Sequence, residues 1–100
     1  MNEISIAVLA DNSAEPPFRA EHGFSALISI RKNSEGKTLL FDFGFSEDGG
    51  ARNAGLLGAD IGHAEAAVLS HGHGDHFGGF QKLAAMMRKG TDLVLHPAVF

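Results

Sequence analysis

Apolar residues recur at alternate positions in three stretches of the first half of the chain, and this period of two predicts β-strands. The strands are expected over residues 4–9, 24–31 and 38–42. Residues 33–37 are turn formers, so the second and third strands should form an antiparallel hairpin. Residues 10–19 should form a loop, since they contain Pro16 and Pro17 and proline cannot continue a sheet ladder.

Helical and strand patterns alternate in the second half of the chain. The first expected helix has Ala51, Ala54 and Leu57 on one face, although each interior glycine costs about 1 kcal/mol relative to alanine. The second helix is rich in strong helix formers and should stop at Gly90. The helices are expected over residues 47–57 and 80–89, and two short strands over residues 66–70 and 91–95. The order β, β, β, α, β, α, β predicts one α/β domain over residues 1–100, with helices packed on a mixed sheet.

Composition excludes several classes of function. The formal charge is −4 and the eight basic residues are scattered, so the sequence offers no surface for nucleic acid or anionic lipid. No apolar run approaches the roughly 20 residues of a membrane span, and no signal peptide is visible. The absence of cysteine removes disulfides, thiolate ligands and thiol nucleophiles. We expect a cytoplasmic protein that acts on a small molecule, and the sequence leaves a homo-oligomer open.

Three histidines and one aspartate lie within six residues, directly after the predicted fourth strand. Side chains two apart in an extended segment point the same way, so His71 and His73 can bind one metal ion as a pair. Asp75 and His76 follow a turn and should face a second ion next to the first. Imidazole and carboxylate together suit zinc, iron or manganese. A chance cluster in a solvated loop is the alternative, and four ligands between a buried strand and a helix argue against it.

Glycines separate and follow these four residues. Gly72 and Gly74 are expected to permit backbone angles and close approach that a side chain would forbid. Gly78 and Gly79 should let the next helix begin tightly against the site.

The pattern His-x-His-x-Asp-His followed by Gly-Gly, over residues 71–79, resembles the signature of the metallo-β-lactamase superfamily, with no position altered. Asp42-Phe43-Gly44 resembles a second superfamily motif. On chemistry alone, a role as turn former or helix cap explains Asp42 as well as a functional role does. The resemblance implies that Asp42 lies beneath the histidine loop and holds it in place. Members often have Thr or Ser where this chain has Phe43, a position that is not a ligand.

Within the superfamily, the chain resembles the branch of metallohydrolases named for dihydropterin and aminobenzene-ribofuranosyl-phosphate synthesis. This likeness is carried by the ligand loop and by residues 11–13, 21–25 and 96–100. The superfamily resemblance implies the N-terminal half of a four-layer αββα sandwich. It also implies two divalent metal ions, zinc above all, and further ligands from a second half that residues 1–100 do not contain.

The expected activity is metal-dependent hydrolysis. A metal with an open coordination position lowers the pKa of bound water to about 7. The resulting hydroxide would cleave an ester, phosphoester, lactone or related bond, and Asp75, as a ligand, would also orient the water as the catalytic residue. Ser70 is expected to make backbone hydrogen bonds rather than to act as a nucleophile.

Two other classes of function stay open. The same fold carries di-iron redox sites, and this ligand set does not separate iron from zinc. The chain could also be an incomplete domain that binds no metal by itself. His22, at a strand start, and His96, at a strand end, are second-rank candidates for the edge of the site, with surface or structural histidines as the alternative.

Overall fold

The computed structural model describes residues 2–95, in which five strands form one mixed sheet. The strands span Asn2–Ala10 (β1), Ser25–Lys32 (β2), Glu35–Phe41 (β3), Ala66–Val68 (β4) and Asp92–Val94 (β5). The first three pair antiparallel in chain order, and β4 and β5 continue the sheet in parallel. The predicted α/β class, the mixed sheet and the hairpin of β2 and β3 are therefore confirmed.

The helices of the described residues span Gly49–Leu57 (α1), Gly74–Phe77 (α2) and Phe80–Met86 (α3), with a 3-10 turn at Ile61–His63. None of them approaches the roughly 20 residues that a membrane-spanning helix needs, since the longest, α1, has nine. The predicted order of helices and strands is confirmed, with α2 added inside the segment that was expected to be a ligand loop.

The hydrophobic core lies between α1, α3 and one face of the sheet. Leu27, Leu40 and Ala67 are neighbours in register on β2, β3 and β4, and all three are buried. They belong to one cluster with buried side chains of α1, the 3-10 turn and α3, namely Ala54, Ile61 and Leu83. This packing fixes the carboxyl ends of β3 and β4 side by side, which is where the candidate metal ligands begin.

The opposite face of the sheet is apolar and open. Ile4 pairs with Ile30, and Ile6 pairs with Ile28, across β1 and β2. The side chains of Ile4, Ile6 and Ile30 are exposed by 69%, 62% and 43%. The described residues thus form two layers, one of helices and one of strands, out of the four that the resemblance implies.

Two helix predictions need correction. The helix expected over residues 80–89 ends at Met86, because Met87 adopts an extended conformation and packs against the core. Leu57 was expected on the buried face of α1 but is 45% exposed. The buried face begins instead with Gly49 and Gly50, where the missing side chains let α1 approach Glu21 and Leu83 closely.

Candidate metal centre

The ligand loop starts at the carboxyl end of β4, beside the carboxyl end of β3. Parallel pairing aligns Phe41 with Val68, so the residues that follow each strand emerge at the same edge of the sheet. Asp42 is the first residue after β3, and its backbone N–H donates to Val68 O at 2.9 Å. The sequence separates Asp42 from His71 by 29 positions, and this pairing brings them together.

Asp42 is buried, with 1% of its surface exposed, and it accepts three hydrogen bonds from the ligand loop. Its Oδ1 accepts from the backbone N–H of Ser70 at 2.7 Å. Its Oδ2 accepts from Ser70 Oγ at 2.6 Å and from His76 Nδ1 at 2.7 Å. The side chain therefore lies under the histidine loop, where the resemblance implied it.

These hydrogen bonds indicate that Nδ1 carries a proton in two imidazole rings, those of His71 and His76. An ionised carboxylate only accepts, so the hydroxyl of Ser70 and the Nδ1–H of His76 both donate to Asp42. The Ser70 oxygen then accepts from His71 Nδ1, which lies 2.8 Å away. In the neutral imidazole of both histidines, the lone pair then lies on Nε2, which is the form that binds a metal.

The remaining donor atoms converge at the loop surface. One ligand atom each from His71, His73 and Asp75 lie within 4.8 Å of one another. His76 Nε2 lies 3.5 Å from Asp75 Oδ2. Ligands at 2.0–2.1 Å from one zinc ion in a tetrahedral site are roughly 3.4 Å apart, so these residues fit a divalent ion after small side-chain movements.

Asp75 lies closer to the first pair of histidines than the sequence indicated. It was expected to face a second ion next to the one bound by His71 and His73, and its carboxylate reaches both that pair and His76. Asp75 lies in the first turn of α2, which begins at Gly74 directly after His73. Asp42, His71 and His76 form a second group with ligand spacing. In that group, Asp42 already accepts three hydrogen bonds, which makes it a support for the histidines.

Comparison with known proteins agrees with this arrangement. The family model of the metallo-beta-lactamase superfamily matches residues 20–85. This chain belongs to the metallo-beta-lactamase superfamily. The match covers both the Asp42 segment and the ligand loop, so the resemblance stated from the sequence is confirmed at the level of the family.

Individual relatives within the superfamily cover the chain more fully. The chain is 31% identical, over its whole length, to the 7,8-dihydropterin-6-methyl-4-(beta-D-ribofuranosyl)-aminobenzene-5'-phosphate synthase of Methanocaldococcus jannaschii, and spans 35% of that protein. It is 42% identical, over 77% of its length, to the solved structure of Tm1679, a metal-dependent hydrolase of the beta-lactamase superfamily, with a TM-score of 0.60 and 26% of that chain covered. Human tRNase Z, short form, shares the fold at 21% identity and a TM-score of 0.58, with 93% of this chain and 34% of that chain covered. The chain thus spans about a quarter to a third of the length of these superfamily proteins.

Glycines fix the ligand loop against the segment that follows β3. A Cβ on Gly78 would lie 1.9 Å from Phe45 O, and one on Gly79 would lie 2.2 Å from Phe43 O. The prediction that this pair lets α3 begin tightly against the site is confirmed. Gly74 has open space around it and a negative φ, so the expectation that it requires glycine is wrong.

Phe43, the residue after Asp42, is part of the hydrophobic core. Its side chain is fully buried, and its ring lies edge-on to Phe77 and Phe80 at centroid distances of 6.1 and 5.1 Å. Phe77 and Phe80 are also stacked on each other at 4.9 Å. Phe43, where superfamily members often have Thr or Ser, therefore packs on α2 and α3 and is not a ligand.

The second-rank histidines have different outcomes. His22 Nε2 lies 3.9 Å from Asp75 Oδ2, and the His22 side chain is 84% exposed, so the structure brings it to the edge of the candidate centre. Its role there stays a prediction. His96 lies outside the described residues.

Glu21 is a residue that sequence reasoning missed. Its Oε2 accepts hydrogen bonds from the backbone N–H groups of Phe45 and Ser46, each at 2.6 Å. Glu21 precedes His22 in a segment without strand or helix pattern, and its partners are more than 20 residues away. The sequence signal for Glu21 was its position beside His22, a proposed site residue that Gly23 follows directly.

Proposed function

We propose that this chain supplies the metal centre of a hydrolase with two divalent ions, bound by His71, His73, Asp75 and His76. The observation that carries the proposal is the convergence of one donor atom each from His71, His73 and Asp75 within 4.8 Å. Zinc is the metal we propose, since imidazole and carboxylate are its usual ligands in open sites, and iron or manganese are the alternatives.

Each side chain has a distinct role in this proposal. A bound divalent ion supplies a Lewis acid that polarises a carbonyl or phosphoryl oxygen and activates water near neutral pH. Asp75 orients the attacking water through the carboxylate oxygen that it does not use as a ligand. Asp42 binds Nδ1 of His76 directly and so keeps its Nε2 oriented toward the metal position. It orients His71 in the same way through Ser70.

The proposed substrate is a small molecule with an ester, phosphoester, lactone or related bond. The metal-dependent hydrolase that is 42% identical to this chain supports the reaction class. The relative from M. jannaschii carries the name of a synthase, so the bond that is cleaved must be found by experiment. Because the chain spans about a quarter to a third of these relatives, the activity that we propose is that of the complete catalytic unit. The composition further favours a cytoplasmic location.

Zinc titration by calorimetry and a panel of phosphodiester, lactone and thioester substrates test the proposal. Replacing His73 or Asp75 by alanine should lower zinc affinity and hydrolysis by about 100-fold or more, because each loses a direct ligand. His63→Ala is the matched control, since His63 is an exposed histidine paired with Asp60 in the 3-10 turn, away from the loop. Unchanged turnover in Asp75→Ala would contradict the mechanism.

Elemental analysis of protein purified without added metal separates the alternatives. Zinc with hydrolysis supports the proposal. Iron with visible absorption and no hydrolysis would instead favour a di-iron redox site.

A further inference from the structure

Glu21 holds the segment that supports the ligand loop. Its carboxylate oxygen Oε2 caps two consecutive backbone N–H groups, those of Phe45 and Ser46, in the bend that follows β3. Such charge-assisted bonds are roughly twice as strong as neutral ones. The backbone of Glu21 is itself tied to the end of β1, since its N–H donates to Asp11 O at 2.9 Å. Glu21 thus connects the edge strand to the bend.

The backbone from Phe43 to Phe45 in turn contacts the ligand loop and the residues that follow it. Phe43 N–H donates to His76 O at 2.8 Å, and Gly79 N–H donates to Phe43 O at 3.1 Å. Phe45 O presses on Gly78, where a Cβ would have no room. A displacement of Phe45 would therefore be transmitted to the C-terminal end of α2, which holds His76.

The segment containing Glu21 also reaches the loop directly. Phe24 N–H donates to Asp75 O at 3.3 Å, and a Cβ on Gly23 would lie 2.4 Å from the same oxygen. The backbone of Asp75 is therefore contacted by the residues that follow Glu21, and that of His76 by the bend that Glu21 binds.

The carboxylate lies in a space that only glycines leave free. A Cβ on Gly49 would lie 2.4 Å from Glu21 Oε1, and one on Gly44, whose φ is +72°, would lie 3.0 Å from Oε2. Oε1 is buried and has no hydrogen-bond partner among the described residues. An unpaired buried polar atom costs free energy. Oε2 offsets part of that cost through its two bonds to the bend, so the position of this carboxylate is tied to the position of the bend.

We infer that Glu21 is a positioning residue of the metal centre: it fixes the bend at Phe45 and Ser46 and through that bend the placement of His76, while the residues that follow it contact the backbone of Asp75. The inference rests on the proposed metal-binding function and adds a residue to it that touches neither metal nor substrate. Glu21→Ala should then weaken zinc binding by about 10- to 100-fold, the range found for residues that orient ligands.

Calorimetric zinc titration of Glu21→Ala and Glu21→Gln is the test. Gln retains an oxygen that can accept both N–H groups, so it should recover part of the affinity that Ala loses. Glu47→Ala is the control for charge, because Glu47 is an exposed carboxylate in the same connection. Ile61→Ala is the control for stability, since Ile61 is a buried core residue in the 3-10 turn and belongs neither to the Glu21 segment nor to the bend.

The outcomes separate this inference from the proposed function. Absence of zinc binding by the unsubstituted chain would overturn both. Wild-type zinc affinity in Glu21→Ala, or an equal loss in Ile61→Ala, would overturn the positioning role and leave the metal centre standing. We also expect hydrogen exchange in Glu21→Ala to be faster at the amides of Phe45, Ser46 and Gly79 and unchanged in the β2–β3 hairpin. This measurement needs no metal.

Discussion

Asp42 adopts a left-handed backbone conformation, with a φ of 54°, directly after β3. Aspartate tolerates this region better than most residues, and the conformation turns its carboxylate under the ligand loop. One side chain there serves two imidazoles, one directly and one through Ser70. The residue types of the loop predict metal ligands, but the link through Ser70 depends on β3 and β4 lying side by side.

Asp42→Asn and Ser70→Ala should weaken zinc binding to different extents. In Asp42→Asn one carboxylate oxygen becomes an NH2 group, which cannot accept the bond from Ser70 N–H at Oδ1 or those from Ser70 Oγ and His76 Nδ1 at Oδ2, so the support of the histidine loop is disturbed. Ser70→Ala removes only the link to His71. We expect a loss in affinity of about 10- to 100-fold for Asp42→Asn, and a smaller one for Ser70→Ala.

Competition with a chelator of known zinc affinity measures both losses. Asp92→Asn and Ser34→Ala are the controls, since both residues are exposed and lie in β5 and in the hairpin turn. Equal affinities for Asp42→Asn and Asp92→Asn would remove the supporting role of Asp42.

At the scale of elements, the sequence predicts the strands and their order because each has a clear period and clear turn formers at its ends. The boundaries and the faces of the helices are harder to predict. α1 buries Gly49 and Gly50 instead of Leu57, since what decides its face is how closely it can approach Leu83, a residue 33 positions after Gly50. The Gly78-Gly79 pair was predictable, because two glycines between a ligand and a helix indicate a close approach of backbone.

Gly79→Ala and Gly74→Ala should therefore have opposite effects on stability. A methyl group on Gly79 would meet Phe43 O at 2.2 Å, and the backbone must move to accommodate it. We expect a loss of about 1–3 kcal/mol in the free energy of unfolding, as for other overpacked sites. A methyl group on Gly74 meets nothing within 4 Å, and this residue opens α2, so Gly74→Ala should gain up to about 1 kcal/mol. Urea unfolding monitored by circular dichroism measures both, and similar losses in the two variants would contradict the steric role assigned to Gly79.

At the scale of the whole molecule, the two faces of the sheet differ in what covers them. The helix-facing side is buried at Leu40 and Ala67, whereas the other side exposes Ile4 and Ile6. Both faces are apolar in the sequence, and alternation alone gives no means of telling which one the helices cover. The superfamily resemblance implies a second sheet against the open face, and the described residues do not supply one.

Two substitutions measure whether this open face is covered in solution. Leu40→Ala removes a side chain with no exposed surface and should cost about 2–5 kcal/mol of unfolding free energy. Ile6→Thr acts on a side chain that is 62% exposed and keeps β-propensity, so in the 100-residue chain it should cost less than about 1 kcal/mol. Urea unfolding at several protein concentrations is the measurement. If Ile6→Thr costs as much as Leu40→Ala, the face is buried in solution by another layer, and a cost that grows with protein concentration would identify that layer as a second copy of the chain.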